Sequence, residues 1–389
     1  MPLKGKLMAK FKHHDLKLLI PSYDSKLTDM VIELDYLRKK TFVGTTHPDV
    51  FTQLKDIFHM MESIGSARIE GNRTTIAEYI EFKMDHESTV SQSVQEILNM
   101  ERAIKYVDDV IDTTPINDEL IHALHGMTVT GLTAPPYGEG DVTPGKYRDH
   151  NVSITHATHK PCAFGTIPGY MQELFQFINE QHPPKYDLIK TAIAHHRFAW
   201  IHPYGNGNGR TVRLFTYAML VKQNFNIKQT HILNPTAVFC NNRIKYYEYL
   251  SKADTGTTVG IQAWCEYVLD GLRDELTKID QLLEYDFLKR MILLPAVEYA
   301  LQQRTITENE AKVLKKVVEV QELLAHHLKD VFPKKNAPKI SKLIADLKAK
   351  NMLRPITGSV RKYVLSFDNS FLLRGIIRML DKKGFLPNM

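Results

Sequence analysis

Residues 202–210 read HPYGNGNGR, so three glycines and two asparagines lie between a histidine and an arginine. Backbone amides of such a segment can approach an anion closely, and at the start of a helix they form a natural phosphate site. Arg210 and Arg213 share one face of the helical pattern that follows, and their guanidinium forks suit phosphate oxygens. His202 begins the loop as a candidate general base. The segment therefore predicts a site that binds a phosphate and removes a nearby proton.

Two better-known phosphate loops have a different spacing. The GxxxxGK[ST] loop needs a lysine that this segment lacks, and the GxGxxG loop follows a strand, whereas this segment follows a helical pattern. The remaining alternative is an ordinary interhelical turn with an ordinary histidine. Nine constrained residues between two apolar helical patterns favour the phosphate site over that turn.

The segment IHPYGNGNGRTVR resembles the signature of the Fic family, HPFx(D/E)GNGRxxR. The resemblance implies a Fic-type helical bundle with a small β-hairpin flap, which transfers AMP from ATP to a Ser, Thr or Tyr hydroxyl of a protein. It implies that His202 deprotonates that hydroxyl and that Arg210 and Arg213 bind phosphate. Tyr204 replaces the family's Phe as an apolar anchor. The loop residues that it assigns to the nucleotide are Gly205, Asn206, Gly207, Asn208 and Gly209.

Asn206 is the main departure from the signature, because the acidic residue of the family at this position ligates magnesium. An amide oxygen keeps the right geometry for Mg²⁺ or Mn²⁺, but it is a weaker ligand than a carboxylate. We therefore expect the metal affinity or the nucleotide preference to differ from those of the family.

SARIEGN (66–72) resembles the family's inhibitory motif [S/T]xxxE[G/N], with Ser66, Glu70 and Gly71 in place. In the family this glutamate pairs with the second arginine of the signature, here Arg213, and blocks the γ-phosphate of ATP. The resemblance implies an autoinhibited enzyme of the subclass with an N-terminal inhibitory helix, in which a carboxylate and a phosphate compete for one guanidinium. The alternative is that Glu70 is an ordinary surface acid.

Two further segments resemble parts of the family's site. PGKYRDHNVSITH resembles the strand and flap along which a target segment aligns by β-augmentation, and NNRIKYYEYLSKADTG (241–256) resembles the helix that closes the adenine side. The alternatives are a structural hairpin and core tyrosines. The candidate flap residues are Val152, Ser153, Ile154 and Thr155, and the candidate adenine-side residues are Asn241, Tyr246 and Tyr247.

Mainly α-helical elements must position these groups. Apolar residues recur at helical spacing in 49–62, 91–111, 117–129, 187–201, 211–223 and 260–284. The exception is 151–156, where apolar and polar residues alternate as in a half-buried strand. We expect an N-terminal helical region with the inhibitory motif (1–110), a catalytic core (111–285) and a third unit (286–389).

The third unit resembles a winged helix-turn-helix (α+β). Helical patterns at 308–328 and 338–350 precede an alternating segment, 352–366, which turns at residues 357–359. Residues 311–389 hold 17 Lys/Arg against 6 Asp/Glu. The unit could bind DNA phosphates, or it could dock a protein while its lysines are merely solvated. The cations that would contact DNA are Lys339, Lys342, Lys348, Lys350, Arg361 and Lys362.

The composition narrows the protein class. With 389 residues, of which 43% are hydrophobic, the chain suits two or three domains with a sizeable core. It has no apolar run of the roughly 18 residues that span a membrane, and no export signal is visible, so we expect a cytoplasmic protein without a membrane partner. Cys162, Cys240 and Cys265 lack any CxxC spacing, which favours a reducing compartment.

The leading hypothesis is an autoinhibited protein adenylyltransferase that uses ATP with Mg²⁺ or Mn²⁺ and can modify itself. The family suggests a homodimer. One alternative is a nucleotide-sensing, DNA-binding regulator whose Fic domain is weakly active or inactive. Another is a Fic enzyme that transfers a different nucleotide or phosphate group.

Overall fold

A computed structural model describes residues 10–39, 45–85, 89–154, 157, 159–224 and 235–386, and they are mainly helical. The first helices are α1 (Lys26–Lys39), α2 (Pro48–Glu70), α3 (Ile76–Asp85), α4 (Gln92–Val110), α5 (Asp118–Val129), α6 (Ile167–Asn179), α7 (Asp187–Ile201) and α8 (Asn208–Lys222). They are followed by α9 (Pro235–Cys240), α10 (Arg243–Ala253), α11 (Thr258–Leu283), α12 (Tyr285–Leu288) and α13 (Leu294–Gln302). The C-terminal elements are α14 (Glu308–Val320), α15 (Leu328–Val331), α16 (Ala337–Ala349), β1 (Leu353–Pro355), β2 (Tyr363–Leu365) and α17 (Ser370–Lys382).

Helices α7 and α8 form the centre of the first core. They pack against each other, α7 also contacts α6 and α11, and α8 also contacts α2, α4 and α5. Both helices are buried on nearly all sides, as expected of helices surrounded by other helices. Phe198 of α7 and Phe215 of α8 are completely buried, with ring centroids 5.7 Å apart, and Trp264 of α11 is buried against α7. This packing gives the connection between α7 and α8 a rigid base.

The α7–α8 connection takes its shape from its own residues. Helix α7 ends at His202 in a left-handed conformation (φ 54°, ψ 62°), and α8 begins after Gly207, which has φ 73°. A Cβ on Gly207 would lie 2.9 Å from Cγ1 of Val129, so only glycine fits there without displacing α5. The side chain of Asn208 donates to Tyr204 O and accepts from Tyr204 N, both at 2.9 Å. The loop is therefore held closed from within.

Helix α2 runs from the C-terminal part of the molecule to the α7–α8 loop. It begins at Pro48, a residue suited to a first helical turn, and ends at Gly71, whose φ of 113° forms a left-handed cap. The amides of Gly71 and Asn72 return to carbonyls of the last turn, at 3.0 and 3.1 Å. With 23 residues, the helix is about 33 Å long.

Two apolar cores share this helix. One core contains side chains of α2 between Val50 and Ala67 together with most of the apolar residues from 279 to 386, and the other contains the apolar faces of α4 to α8 and α11 together with Ile69 of α2. We call residues 285–386 the C-terminal unit. The division of the chain into three domains stays a prediction.

The C-terminal unit contains two helices and a hairpin in the predicted order, but the first helix is shorter than predicted. The continuous helix expected over 308–328 is wrong, because α14 ends at Val320 and Gln321 takes a φ of 61°. Leu323 then pairs with Tyr363 as an isolated antiparallel bridge, which removes this segment from the helix. Strands β1 and β2 are antiparallel, with Arg354 opposite Val364. The assignment to the winged helix-turn-helix class stays a prediction.

The predicted strand ahead of the catalytic loop is also wrong for the residues that the structure describes. Residues 151–154 alternate between exposed and half-buried side chains, as predicted, but they belong to no strand. The reason is that no described backbone segment pairs with them, and the two-stranded sheet lies in the C-terminal unit. Among the described residues, no helix is both long enough and apolar enough to cross a membrane.

Candidate active site

His202 lies at the junction of α7 and the loop. Its backbone amide donates to Phe198 O at 3.0 Å, and its carbonyl accepts a hydrogen bond from Arg148 Nε at 2.9 Å. Burial lowers the pKa of the His202 imidazole to about 4. At neutral pH the ring is therefore uncharged and can accept a proton, as a general base must.

Arg148 joins the loop to the segment that precedes α6. Its guanidinium, which is buried, donates to His202 O, to His150 O at 2.7 Å and to Cys162 O at 2.7 Å. These three carbonyls belong to both ends of the candidate flap and to the catalytic loop. Arg148 therefore fixes the position of the flap segment relative to His202. The sequence analysis did not single it out, although an arginine within PGKYR, next to the candidate flap, was a usable signal.

Asp141 and His125, which the sequence analysis did not single out, also hold the loop in place through hydrogen bonds. Asp141 accepts hydrogen bonds from Asn206 N and Thr143 N, both at 2.8 Å, and His125 Nε2 donates to Asn206 O at 3.0 Å. The ring of His125 stacks on Tyr204 with centroids 3.7 Å apart. Burial alone would raise the pKa of Asp141, but hydrogen bonds from His125, Thr143 and Asn206 outweigh it and lower the pKa to about 2. The loop is thus held by a charged, buried carboxylate.

Arg213 lies in the second turn of α8 and contacts the end of α2. Its Nη2 donates to Glu70 Oε1 at 2.8 Å and to Ser66 O at 2.9 Å, and its Nε donates to Ser66 Oγ at 2.8 Å. Burial would raise the pKa of the Glu70 carboxyl, but the charges of Arg213 and then Arg210 hold that pKa below its ordinary value. The structure therefore brings Glu70 and Arg213 together as an ionised pair.

One donor of this buried guanidinium remains unsatisfied. Arg213 Nη1 has no hydrogen-bond acceptor in the described part of the chain, although the residue is 1% exposed. A Cβ placed on Gly209 would lie 3.2 Å from this nitrogen and would overlap Glu70 Oε1. The Glu70 carboxylate consequently lies directly over the first turn of α8, where the helix N-terminus attracts an anion.

Arg210 is completely buried and has acidic neighbours of its own. Its Nη2 donates to Glu139 O at 2.6 Å, and its Nη1 lies 3.0 Å from Glu96 Oε1, an ion pair that lacks hydrogen-bond alignment. Burial raises the pKa of Glu96, although the charge of Arg210 opposes that rise. A phosphate bound by Arg210 would have to share this guanidinium with Glu96 and Glu139.

Asn206 presents its side chain toward the loop that contains Glu139 and Gly140. Its Nδ2 donates to Gly140 O at 3.1 Å and lies 3.4 Å from Glu139 Oε2. The amide oxygen is then the atom of Asn206 that a cation would contact. In the described ranges, no group of three or more His, Cys, Asp or Glu side chains is placed to hold a metal ion. With this one amide oxygen as a protein ligand, a Mg²⁺ or Mn²⁺ ion here would take most of its other ligands from nucleotide phosphates and water.

The remaining candidate residues differ in how exposed they are. Val152 and Ile154 are half-buried, Ser153 is exposed, and Thr155 lies outside the described residues. Tyr246 is 3% exposed, and its hydroxyl lies 2.9 Å from His195 Nε2, so it is part of the core.

Tyr247 is 44% exposed and is therefore the more accessible of the two tyrosines. Asn241 is exposed and lines a cavity of about 430 Å³ between α9, α10 and α11. The α7–α8 loop contributes no residue to the described lining of this cavity.

Comparisons with known proteins agree with the geometry. Residues 115–220 match the Fic/DOC family. Protein adenylyltransferase Fic of Drosophila virilis is 29% identical over 203 residues, which are 51% of this chain and 38% of that protein. The Drosophila melanogaster protein of the same name is also 29% identical, over 51% of this chain and 37% of its own length. The chain thus spans less than two fifths of the length of these relatives.

Solved structures show the same fold. A Fic family protein from Desulfovibrio desulfuricans superposes with a TM-score of 0.56 at 17% identity, over 91% of this chain and 98% of that chain. Fic-1 from C. elegans gives a TM-score of 0.52 at 17% identity, over 65% of this chain and 71% of that chain. The matched segment contains His202, Arg148 and the whole glycine-rich loop, whereas Glu70 precedes it. The chain therefore carries a Fic/DOC family domain at residues 115–220.

Proposed function

We propose that this protein is a protein adenylyltransferase, which transfers AMP from ATP to a Ser, Thr or Tyr hydroxyl of a protein, and that Glu70 restrains it. The observation that carries the proposal is the anion site at the N-terminus of α8. There the Glu70 carboxylate is hydrogen-bonded to Arg213 and lies over Gly209, and Nη1 of the same guanidinium lacks an acceptor among the described residues. The name of the Drosophila relatives, protein adenylyltransferase, supports the same activity.

The reaction follows from the groups around the loop. Neutral His202 accepts the proton of the target hydroxyl, the hydroxyl oxygen forms a bond to the α-phosphorus of ATP, and the bond to pyrophosphate breaks. The amides at the start of α8 and the guanidinium of Arg213 stabilise the negative charge on the phosphates. A divalent cation near Asn206, when bound, would neutralise part of that charge. Arg148 keeps His202 and the flap segment in register during the transfer.

The restraint follows from competition for one guanidinium. Glu70 and the terminal phosphate of ATP are both anions that suit Arg213, and Glu70 is already bound in the folded chain. Removing the Glu70 carboxylate frees one of the two donor positions of Arg213 Nη2, the other being bound to Ser66 O, and opens the space above Gly209. ATP can then place its phosphates along the loop with its α-phosphorus toward the target.

Labelled ATP tests this function. With Mg²⁺ or Mn²⁺, we expect weak self-labelling of the wild type, labelling on the order of tenfold stronger with Glu70→Gly (about 1.4 kcal/mol), and none with His202→Ala. Glu119→Gln, which changes an exposed acid on α5, is the matched control and should behave as the wild type. The proposal is wrong if the Glu70→Gly protein transfers nothing from ATP, GTP, CTP or UTP. Transfer from a nucleotide other than ATP, identified by mass spectrometry of the modified residue, would instead favour a Fic enzyme with a different donor.

The second candidate function, DNA binding, has specific support in α16. Lys350 pairs with Glu310 at 2.5 Å and Lys362 with Glu322 at 2.7 Å, so these cations are partly neutralised. Lys339 and Lys342 are exposed and have no ion-pair partner within the described ranges.

A variant with Lys339→Glu and Lys342→Glu tests this second role. It should lose any salt-dependent DNA binding measured by fluorescence anisotropy, while its ATP affinity stays unchanged. No DNA binding by the wild type at low salt would exclude the regulator.

A further inference from the structure

The first turn of α2 is joined to the hairpin of the C-terminal unit. The carboxylate of Asp49 accepts hydrogen bonds from Thr357 N at 3.0 Å and from Thr357 Oγ1 at 2.8 Å. The carbonyl of the same residue accepts from Arg354 Nη2 at 2.7 Å. Thr357 lies in the turn between β1 and β2, and Arg354 lies in β1. The start of α2 therefore has both a side-chain and a backbone connection to this hairpin.

The next turn of α2 adds a buried connection. Gln53 is 3% exposed, its Nε2 donates to Leu365 O at 2.9 Å, and its Oε1 accepts from Phe367 N at 2.7 Å. A buried amide that satisfies two backbone groups is costly to remove, since water cannot easily take its place. We call these contacts, which join Asp49 and Gln53 of α2 to Arg354, Thr357, Leu365 and Phe367, the hairpin clamp. Movement of the hairpin must either displace α2 or break the clamp.

The opposite end of the same helix carries the restraint. Ser66 and Glu70 occupy the last turns of α2 and hold Arg213 by three hydrogen bonds of 2.8–2.9 Å. Gln53 and Glu70 are about 25 Å apart along the helix axis. Helix translations of about 1–2 Å are common in switching proteins. A shift of that size would carry the Glu70–Arg213 contact beyond hydrogen-bonding distance.

We propose that the hairpin of the C-terminal unit controls the Glu70–Arg213 contact through α2. The inference rests on the proposed function, and it identifies where the restraint is regulated. In the clamped state, the hairpin holds α2 through Asp49 and Gln53, so that Glu70 covers Gly209 and excludes ATP. When these contacts break, the end of α2 moves, Arg213 is released, and ATP binds more tightly.

Full-length variants with an opened clamp test this coupling. Arg354→Ala combined with Gln53→Ala removes two of the connections and lies far from the nucleotide site. We expect the Kd for ATP, measured calorimetrically, to fall about 5-fold or more, the lower range of allosteric coupling. The effect should vanish in a Glu70→Gly background, because the contact that the clamp supports is already gone. Arg361→Ala, an exposed residue of the same hairpin turn, is the matched control and should bind ATP as the wild type does.

Hydrogen exchange provides a second measurement that does not depend on ATP. The backbone amides of 66–70 should exchange several-fold faster in the clamp variant than in the Arg361→Ala control. A variant that had merely lost its fold would show a lowered melting temperature and weaker ATP binding in both backgrounds, and such a result would contradict the proposal.

Unchanged ATP affinity and unchanged exchange at 66–70 in the clamp variant would overturn the proposal while leaving the proposed function intact. If Glu70→Gly itself fails to strengthen ATP binding, the restraint in the proposed function is wrong. The exchange rates then still decide whether the hairpin and the end of α2 are coupled.

Discussion

The connection between α7 and α8 and the turn between β1 and β2 are both short polar segments, but the protein holds them in different ways. Backbone groups of the α7–α8 loop bond to Arg148, Asp141 and His125, all of which are at most 8% exposed. The β1–β2 turn is mostly exposed and is held by Asp49 and by surface pairs such as Lys362 with Glu322. Buried polar and charged side chains hold the α7–α8 loop, whereas solvent-accessible contacts hold the β1–β2 turn.

This difference indicates what each segment is for. Buried, prearranged donors stabilise charge in a reaction without having to reorganise. Directly after the loop, Arg210 and Arg213 are buried, and each has a guanidinium nitrogen without a hydrogen-bond acceptor in the part of the chain that the structure describes. Exposed pairs contribute little to stability, typically about 0–1 kcal/mol, so the contacts of the hairpin turn can be exchanged at low cost. Substitutions should therefore have large effects in the loop and small effects at the turn.

The largest effect is expected at His202. Replacing it with Asn should lower transfer by about 10²- to 10⁴-fold, because the general base is lost. Asn is the matched replacement because it tolerates the left-handed conformation of this position better than Ala does. The affinity for ATP, measured calorimetrically, should change little. Transfer within tenfold of the parent protein would show that the loop does not supply the base.

Arg148 is the next test of the difference between the two segments. Arg148→Lys loses the planar fork that reaches three backbone carbonyls, one of which, Cys162 O, accepts a buried hydrogen bond, so we expect the free energy of unfolding to fall by about 1–3 kcal/mol. In the Glu70→Gly background, the rate of transfer should fall roughly 10-fold or more, because the flap segment and His202 are no longer held in position. Arg361→Lys at the exposed turn is the control, with no expected change in either quantity. Equal effects of the two substitutions would remove the distinction between the segments.

The elements around the loop could be predicted because their signals are local. Helical periodicity placed α7 over its observed residues, and glycine spacing gave both the loop and the start of α8 within a few residues. The short motif around Glu70 placed that residue near Arg213, and the two are in contact. The signals for α7 and α8 lie within those helices, whereas the Glu70–Arg213 contact joins residues 143 positions apart and was predicted only from the resemblance of the motif.

The rest depended on contacts between distant parts of the chain. Asp141 and His125 hold residues of the loop that are 65 and 81 positions away, and no local spacing indicates such a pairing. The alternation in 151–154 predicted a strand, but a strand also needs a neighbouring strand. The helix expected beyond Val320 is interrupted because Leu323 pairs with Tyr363, which lies 40 residues later. Tertiary context decided both segments: a long-range pairing interrupts the helix beyond Val320, and the lack of a described pairing partner leaves 151–154 without a strand.

Asn206→Asp tests the cation site at the edge of the loop. A carboxylate at this position should lower the Mn²⁺ concentration needed for half-maximal nucleotide binding by roughly tenfold, equivalent to about 1.4 kcal/mol. The substitution also removes the donor to Gly140 O, so the melting temperature should fall slightly. The control is Glu119→Gln, which changes an exposed acid on α5 and should leave metal use as in the wild type. Metal use that is identical in wild type and Asn206→Asp would show that position 206 does not contact the cation.

The smallest effect is expected from pH. Burial lowers the pKa of His202 to about 4, so its neutral, basic form is populated above that value and is lost only as the pH falls through it. The pKa of Glu70 is also held below its ordinary value, so the carboxylate and its restraint both persist through neutral pH. In the Glu70→Gly protein, we therefore expect most of the transfer activity to persist at pH 5, whereas a general base with an ordinary pKa near 6.5 would lose most of it by that pH. Transfer rates measured from pH 8 to pH 5 distinguish the two cases. If half of the rate is lost near pH 6.5, the His202 imidazole is as exposed to solvent as the side chains of the hairpin turn.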